Sequence, residues 1–242
     1  MYMSKYTFLI TSAINTKFGV FETETRLNQT VSTIQSIKQR VPDANIFLLE
    51  MSAIPLTEKQ SATLEPLVNS IINFNSDPSV VGLYNSTDNW DVVKNVTEVM
   101  CFGKALKNLH RSLNQFDKSQ RVFKISGRYV LNDNFDINYY NQYSVQNHIV
   151  ISNQRNSQFD YKLTMISQQF MSRLWSWPVN LMEEVISVYD NSLVYMGDRL
   201  SAGGYADIEH CLYKFLDKDK IIQKSPLGIF GNIGPNGAAI QE

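Results

Sequence analysis

Cysteine is scarce in this 242-residue chain: there are two, Cys101 and Cys211. Each lies among apolar residues at helical spacing, so they read as reduced core thiols and not as a disulfide or a thiolate metal cluster. The three histidines, His110, His148 and His210, show no metal-ligand spacing with one another or with cysteine, and no zinc centre is expected. Excess charge is lacking too. With 22 basic and 23 acidic residues the formal net charge is −1, which argues against a broad electrostatic grip on nucleic acid. Any bound anion must be held locally. No apolar run approaches the roughly 18 residues of a membrane span, and the first one, after Met1–Tyr6, is too short for a signal-peptide core. The expectation is a soluble cytoplasmic protein, in which the Asn-x-Thr triplets at Asn28, Asn85 and Asn95 carry no glycosylation meaning. Three chemical motifs are missing: the Gly-x-x-x-x-Gly-Lys-Ser/Thr phosphate loop, the Gly-x-Gly-x-x-Gly dinucleotide fingerprint and the Gly-x-Ser-x-Gly nucleophile elbow.

What is present describes a folded protein. A hydrophobic content of 43% is enough for a sizeable core, and no linker rich in Pro, Gly or Ser divides the chain. A single domain over residues 1–242 is therefore expected, with a change of character near residue 135. Tyr6–Ile10 and Asn45–Leu49 are compact apolar runs with polar exits, Thr11-Ser12-Ala13 and Glu50-Met51-Ser52, and read as buried strands. Between them Leu27, Val31, Ile34, Ile37 and Val41 form a helical stripe stopped by Pro42. Thr57-Glu58-Lys59-Gln60 is a capping-box start for the next helix, and Ile71–Phe74 is a third short strand. Strand, helix, strand, helix, strand predicts right-handed crossovers in a mainly parallel sheet, an α/β fold. Asp77–Asn89 reads as a loop, and Val92–Leu113 as a helix whose charges, Lys94, Glu98 and Lys104, are those of a solvated face unless something recruits them. In the second half His148–Ser152 and Tyr161–Ile166 read as strands and Leu181–Tyr189 as a helix. Tyr195–Tyr205 reads as a loop ending in Gly203-Gly204-Tyr205 before a helix from Asp207, Ile221–Gln223 as a strand, and Leu227–Ala239 as a glycine-rich tail.

The chain is organised around Arg121–Phe135. Val122–Ile125 is a short apolar strand that breaks at Ser126-Gly127 into a polar loop with Arg128, Tyr129, Asn132 and Asp133. Ligands of open α/β sheets sit beyond the carboxyl ends of the strands, where this loop lies. Lys124, in the middle of the strand, costs free energy unless it meets an anion. Asp207 and Glu209 open a helix after a glycine pair, where a carboxylate can serve as a general base; equally, Asp207 caps that helix and Glu209 complements its dipole.

These residues together carry a resemblance. Phe8–Ile14, Arg26 with Gln29-Thr30, Ser36-Ile37-Lys38, Phe123–Tyr129 and Asp207-Ile208-Glu209, in this order of elements, resemble a nucleotide-sugar glycosyltransferase of the GT-A fold. That fold ordinarily places an Asp-x-Asp motif at the end of its fourth core strand to hold a divalent metal against the donor diphosphate. Here the place reads Ser126-Gly127-Arg128-Tyr129, similar to metal-independent branches of the fold. The resemblance implies that basic side chains, from Arg26, Lys94, Lys104, Lys124 and Arg128, neutralise the leaving diphosphate, as arginine and lysine are able to do. It implies a donor pocket from Thr11, Ser12, Ala13, Arg26, Lys94, Lys124, Ser126, Gly127, Arg128 and Tyr129, in a nucleotide-sugar-binding half over residues 1–135. Residues 136–242 then form an acceptor-side half, with Gly203, Gly204, Tyr205 and the Trp175–Trp177 pair shaping the acceptor side. Asp207 or Glu209 becomes the base of an inverting transfer to a glycan hydroxyl. No cofactor is expected and a divalent metal is not favoured. Two other readings stay open: a nucleotidyltransferase leaning on Glu50 or Asp133 for metal, and a degenerate transferase fold that only binds glycans.

Overall fold

The computed structural model describes residues 5–111, 120–233 and 237–242. The chain opens with β1 (Tyr6–Ser12), α1 (Thr23–Arg40), β2 (Asn45–Glu50), α2 (Glu58–Leu64) and β3 (Ser70–Asn73). After these come α3 (Pro78–Ser86), α4 (Trp90–Arg111), β4 (Arg121–Ser126) and β5 (Tyr129–Leu131). The second half holds β6 (Ile149–Ile151), β7 (Arg155–Asn156), α5 (Tyr161–Thr164), β8 (Gln168–Gln169) and β9 (Leu174–Pro178). It ends with α6 (Met182–Ser201), α7 (Ile208–Phe215), β10 (Ile221–Gln223), β11 (Ile229–Asn232) and β12 (Ala239–Gln241).

Seven strands form the central sheet in the order β10-β6-β9-β4-β1-β2-β3. β3, β2, β1 and β4 run parallel, as the crossover reading predicts, while β9 is antiparallel to both of its neighbours. The sheet is thus α/β, mixed and mostly parallel. A small antiparallel sheet, β12-β11-β5, continues the chain leaving β4. β1, β2 and β4 are buried on both faces, which explains their mainly apolar runs. Alternate residues feed two cores. Phe8, Ile10, Leu48, Phe123 and Ile125 pack toward α1, with the Phe8 and Phe123 rings stacked at 4.6 Å. Leu9, Phe47, Leu49 and Val122 face the other way, toward α4, α6 and α7. Each fully buried side chain of this size contributes about 1.5–3 kcal/mol.

Several boundaries differ from those expected. Asp77–Asn89 contains α3 because Asp77 is its N-cap, accepting from the Ser79 and Val80 amides, and Pro78 occupies the first helical position. Tyr161–Ile166 is a single helical turn capped by Asp160, with Met165 left-handed at φ 57° to end it, and not a strand. Tyr195–Tyr205 is mostly helix: α6 continues to Ser201 because Val188, Ser192 and Met196 extend its buried stripe, and tertiary packing outweighs the cost of Gly197. Gly203 supplies the left-handed exit at φ 72°, and Gly204 N–H donates to Arg199 O. Part of the expected tail forms β11 and β12. Residues 112 and 113 of the expected Val92–Leu113 helix and Gly234-Pro235-Asn236 of the tail lie outside the described residues. Among the described residues no helix is long and apolar enough to cross a membrane.

Candidate active site

A cavity of about 380 Å³ opens beyond the carboxyl ends of β1 and β4, between α1 and α4. Thr11, Ser12 and Ala13 from the first strand exit and Ser126, Gly127 and Arg128 from the fourth line its floor. The two exits are stitched together by Gly127 N–H donating to Thr11 O at 2.8 Å. One side of the mouth is apolar and aromatic, formed by Phe18, Val20, Tyr84 and Trp90, while Lys94, Thr97 and Glu98 descend the wall from α4. The loop bearing Phe18 is tied across the mouth by Lys17 Nζ, which donates to Tyr84 O at 2.9 Å and Thr87 O at 3.2 Å and pairs with Asp88.

The basic residues anticipated at the donor phosphates divide sharply. Arg26 lines the cavity, but its guanidinium is committed to backbone carbonyls: Phe21 O at 3.0 Å, Ala13 O at 3.1 Å and Phe18 O at 3.3 Å. It clamps the mouth loop, and Gly19, at φ 132°, lets it through, since a Cβ there would lie 1.9 Å from the guanidinium. Lys104 is remote, paired with Asp77 at the start of α3. Lys124 does not line the cavity. It is 1% exposed and donates to Glu98 Oε1 at 3.0 Å, Ser126 Oγ at 2.9 Å and Ser172 O at 2.8 Å. All three ammonium hydrogens are thereby used. Burial pushes the Glu98 carboxyl up, but Lys124 bonded to it, together with the charges of Lys94 and Arg128, holds the group below the usual carboxylate range. Arg128 and Lys94 behave differently: neither makes an ion pair among the described residues, and the Arg128 Nε is buried without a hydrogen-bond partner. Lys94 stands over the Trp90 ring at 5.7 Å. The cavity therefore presents two cations that are not ion-paired among the described residues.

Tyr129 is buried behind the floor, in β5. Trp177, anticipated on the acceptor side, is core: it is 0% exposed and packs on Trp175 and Phe102. Trp175 is equally buried. Gly203 and Gly204 end α6, and Tyr205 OH accepts from Asn95 Nδ2, which sets the start of α7 beside the first turns of α4. Neither Asp207 nor Glu209 lines the cavity. Glu209 joins it indirectly, because Ser172 Oγ donates to Glu209 Oε1 at 2.6 Å and the Ser172 carbonyl accepts from Lys124, which holds Glu98 on the cavity wall, whereas Asp207 is bonded to His210.

The acids named for a metal-dependent alternative are elsewhere. Glu50 is buried and accepts from Ile14 N–H at 2.9 Å; burial pushes its carboxyl up to about 7. Asp133 is exposed and paired with Arg40 on the surface. Among the described residues no three His, Cys, Asp or Glu side chains gather into a metal site, and the two carboxylates lining the cavity are each already paired with a lysine, Glu98 with Lys124 and Asp88 with Lys17. The donor set does not fit a resident cation.

Trp90, Tyr84 and Phe18 were not singled out from the sequence, and Glu98 was read there only as a charge of a solvated helix face. Glu98 had one legible signal, its i+4 spacing from Lys94, which puts both on one face of α4.

No protein-family model matches the sequence, and no curated protein is similar to it in sequence. Solved structures are similar in shape. The chain matches the mannosyltransferase Ktr4p from S. cerevisiae at a TM-score of 0.58 and 10% identity, covering 93% of this chain and 70% of that one. The fold is GT-A-like. A second likeness, to core-mannan synthase A (CmsA/Ktr4) from Aspergillus fumigatus in its Mn/GDP form, has a TM-score of 0.52 at 8% identity, over 96% of this chain and 77% of that one. At such identities the likeness carries the architecture and leaves residue roles to the local geometry.

Proposed function

We propose that this chain is a glycosyltransferase that moves a sugar from a nucleotide-diphosphate donor to a glycan hydroxyl, inverting at the sugar carbon with a carboxylate base. The single observation that carries the reading is the strand-end cavity with an aromatic mouth and two cations not ion-paired among the described residues, Arg128 and Lys94. In this arrangement the nucleoside rests among Phe18, Tyr84 and Trp90, whose rings suit a planar base. The diphosphate lies against Arg128 and Lys94, where a fork of guanidinium donors and an ammonium stabilise the charge that grows as the sugar departs. Thr11, Ser12, Ser126 and Thr97 provide short polar contacts between the two. The sugar then points along α4 toward Glu98 and the start of α7, which carries Asp207 and Glu209.

Among the described residues the cavity carboxylates are already paired with lysines, which favours a metal-independent transfer in which fixed cations perform the neutralisation. The names of the two structural relatives, one a mannosyltransferase and one in an Mn/GDP form, put GDP-linked sugars first among donors to try. The test is a thermal-shift panel of GDP-, UDP-, TDP- and CMP-linked sugars, each with and without Mn²⁺. Stabilisation by a sugar nucleotide in chelator supports the reading in full. Stabilisation that demands Mn²⁺ overturns metal independence, and no stabilisation by any donor overturns the transferase reading.

A further inference from the structure

Arg128 lines two cavities: the strand-end cavity and a second one of about 310 Å³ between α1 and the small antiparallel sheet. Strand alternation makes one side of this second groove. Leu131 and Ile229, opposite each other in register, are buried in the core, so Val130 and Phe230, the next opposed pair, turn to the outer face of the sheet. Phe230 is 46% exposed there. Beside it Asn232 is held by its Nδ2, which donates to Gly237 O at 3.0 Å, while its Oδ1 is unspent.

The other side is α1, docked on the edge of β5 where Leu131 N–H donates to Ser36 Oγ at 3.0 Å. Thr25, Asn28, Gln29 and Ser32 recur at i, i+3, i+4 and i+7 and so share one helix face, while Leu27, Ile34 and Ile37 bury another. That face is polar but uncharged. Ser32 gives its proton to Asn28 O, whereas the Thr25 hydroxyl and the Asn28 and Gln29 amides have no hydrogen-bond partner among the described residues, and Gln29 Oε1 is buried as well. No carboxylate lines the groove among these residues, and its one cation is Arg128. A ligand that fits must therefore donate and accept through neutral groups and lay an apolar face on a ring. A sugar does both, because its hydroxyls serve as donor and acceptor and one pyranose face is made of C–H bonds. A lone phosphate would give the side-chain carbonyls no donor and leave the ring idle, and a nucleic acid strand would need more than one cation.

We propose that this groove holds a sugar unit of the glycan acceptor, away from its reacting hydroxyl, and that Arg128 is the residue common to the groove and the donor cavity. The naming of the ligand as acceptor rests on the glycosyltransferase reading. The pyranose lies on Phe230, and its hydroxyls exchange hydrogen bonds with Asn28, Gln29 and Asn232. Arg128 has five N–H donors in a planar fork, enough to give one edge to a sugar oxygen and another to the diphosphate. Gln29 and Phe230 touch the groove alone, so the two cavities are separable by substitution.

The test titrates the full chain with neutral trisaccharides of glucose, mannose, galactose or N-acetylglucosamine, up to about 10 mM, and follows backbone amide shifts by NMR. Shifts at Asn28, Gln29, Val130, Phe230 and Asn232 are expected with at least one of them. Phe230→Leu, which keeps an apolar side chain and loses the flat ring, should weaken that saccharide by about tenfold, and Gln29→Ala by roughly 3–10-fold. Neither variant should move Tm by more than about 2 °C or alter affinity for a sugar nucleotide that stabilises the wild type. Arg128→Ala should weaken both ligands. No shift with any trisaccharide overturns the assignment, as does a saccharide affinity that both groove variants leave unchanged. Shifts with inorganic phosphate and none with saccharides overturn it in favour of an anion site. A donor affinity that falls in Gln29→Ala overturns the separation of the two cavities. A wild type that binds a trisaccharide in the groove and no sugar nucleotide overturns the transferase reading instead, and the groove stands as a saccharide site without an acceptor role.

Discussion

The body of β4 and the turn that leaves it carry similar residues to opposite ends. Lys124, in the strand, is 1% exposed and spends its charge on Glu98 and two oxygens of its surroundings. Arg128, four positions on, faces the cavity with an unpartnered Nε. The difference is one of position relative to the sheet. A cation among covered strands must be neutralised by the protein itself, since an unpaired buried charge costs several kcal/mol; one beyond the strand end is partly hydrated and remains available to a ligand. The strand lysine therefore reads as scaffold and the turn arginine as ligand group.

The largest effect that would break this contrast is at Lys124. Lys124→Met leaves Glu98, partly exposed on the cavity wall, without its bonded cation and is expected to destabilise the fold by about 2–3 kcal/mol, less than a fully buried pair would lose, seen as a lowered denaturant midpoint. Adding Glu98→Gln should recover much of that loss, because the group left on the cavity wall is then neutral. A single variant as stable as wild type would mean that Lys124 is free to serve the donor after all.

Glu50 sharpens the contrast from the acidic side, as a buried carboxyl with no cation bonded to it. Its pKa is raised to about 7 in the fold, against an ordinary value near 4.5. The folded state therefore binds the proton more tightly than the unfolded one. The associated stability is present below the unfolded pKa, declines as pH rises through the window from about 4.5 to about 7, and is absent above it. At 1.36 kcal/mol per unit the difference is about 3 kcal/mol. Glu50→Gln, which still offers an acceptor to Ile14 N–H, should flatten that slope when denaturant midpoints are compared across the window. An unchanged slope would show that Glu50 stays ionised in the folded protein.

Arg128→Ala probes the other member of the pair. Stability is expected to stay within about 0.5 kcal/mol of wild type, while donor binding weakens by roughly 10–100-fold, the worth of a charge-assisted pair to phosphate. Calorimetric titration with a stabilising sugar nucleotide measures it. Arg128→Lys, which keeps the charge and loses the fork, should fall between the two.

Much of this was legible in the chain and some was not, for identifiable reasons. β1, β2 and β4 announce themselves because both of their faces are covered, so the runs are apolar apart from Thr7 in β1 and Lys124 in β4, and Lys124 is the one charge inside them. That interruption was read with the right physics: a lysine there does meet an anion. The anion is Glu98, supplied by α4 from 26 residues earlier, and no local pattern tells which of a helix's charges will cross to a strand. The strand-end location of the cavity follows from fold class alone, which is why Thr11, Ser12, Ala13, Ser126, Gly127 and Arg128 converge there. α3 was hidden because Asp77-Pro78 serves as readily for a turn as for a cap, and only Val80 and Tyr84 finding a core decides it. Trp177 points inward because β9 is inserted antiparallel between β4 and β6, a pairing that two sequence-distant strands do not encode in either one.

The smallest expected effect belongs to Lys104, a cation on the same helix as Lys94 but committed to Asp77. Its partner is the N-cap of α3, and α3 carries Tyr84 into the aromatic mouth of the cavity, so the pair touches the site only through the placement of that helix. Both side chains are partly exposed, at 38% and 20%, and water screens much of the attraction. Lys104→Ala is therefore expected to cost no more than about 1 kcal/mol in stability and to change donor affinity by less than about threefold. Should donor binding instead fall as far as in Arg128→Ala while the fold stays intact, the division between committed and free cations would not predict which ones a donor meets, and ion pairing across the α3–α4 junction would have to be counted as part of the site.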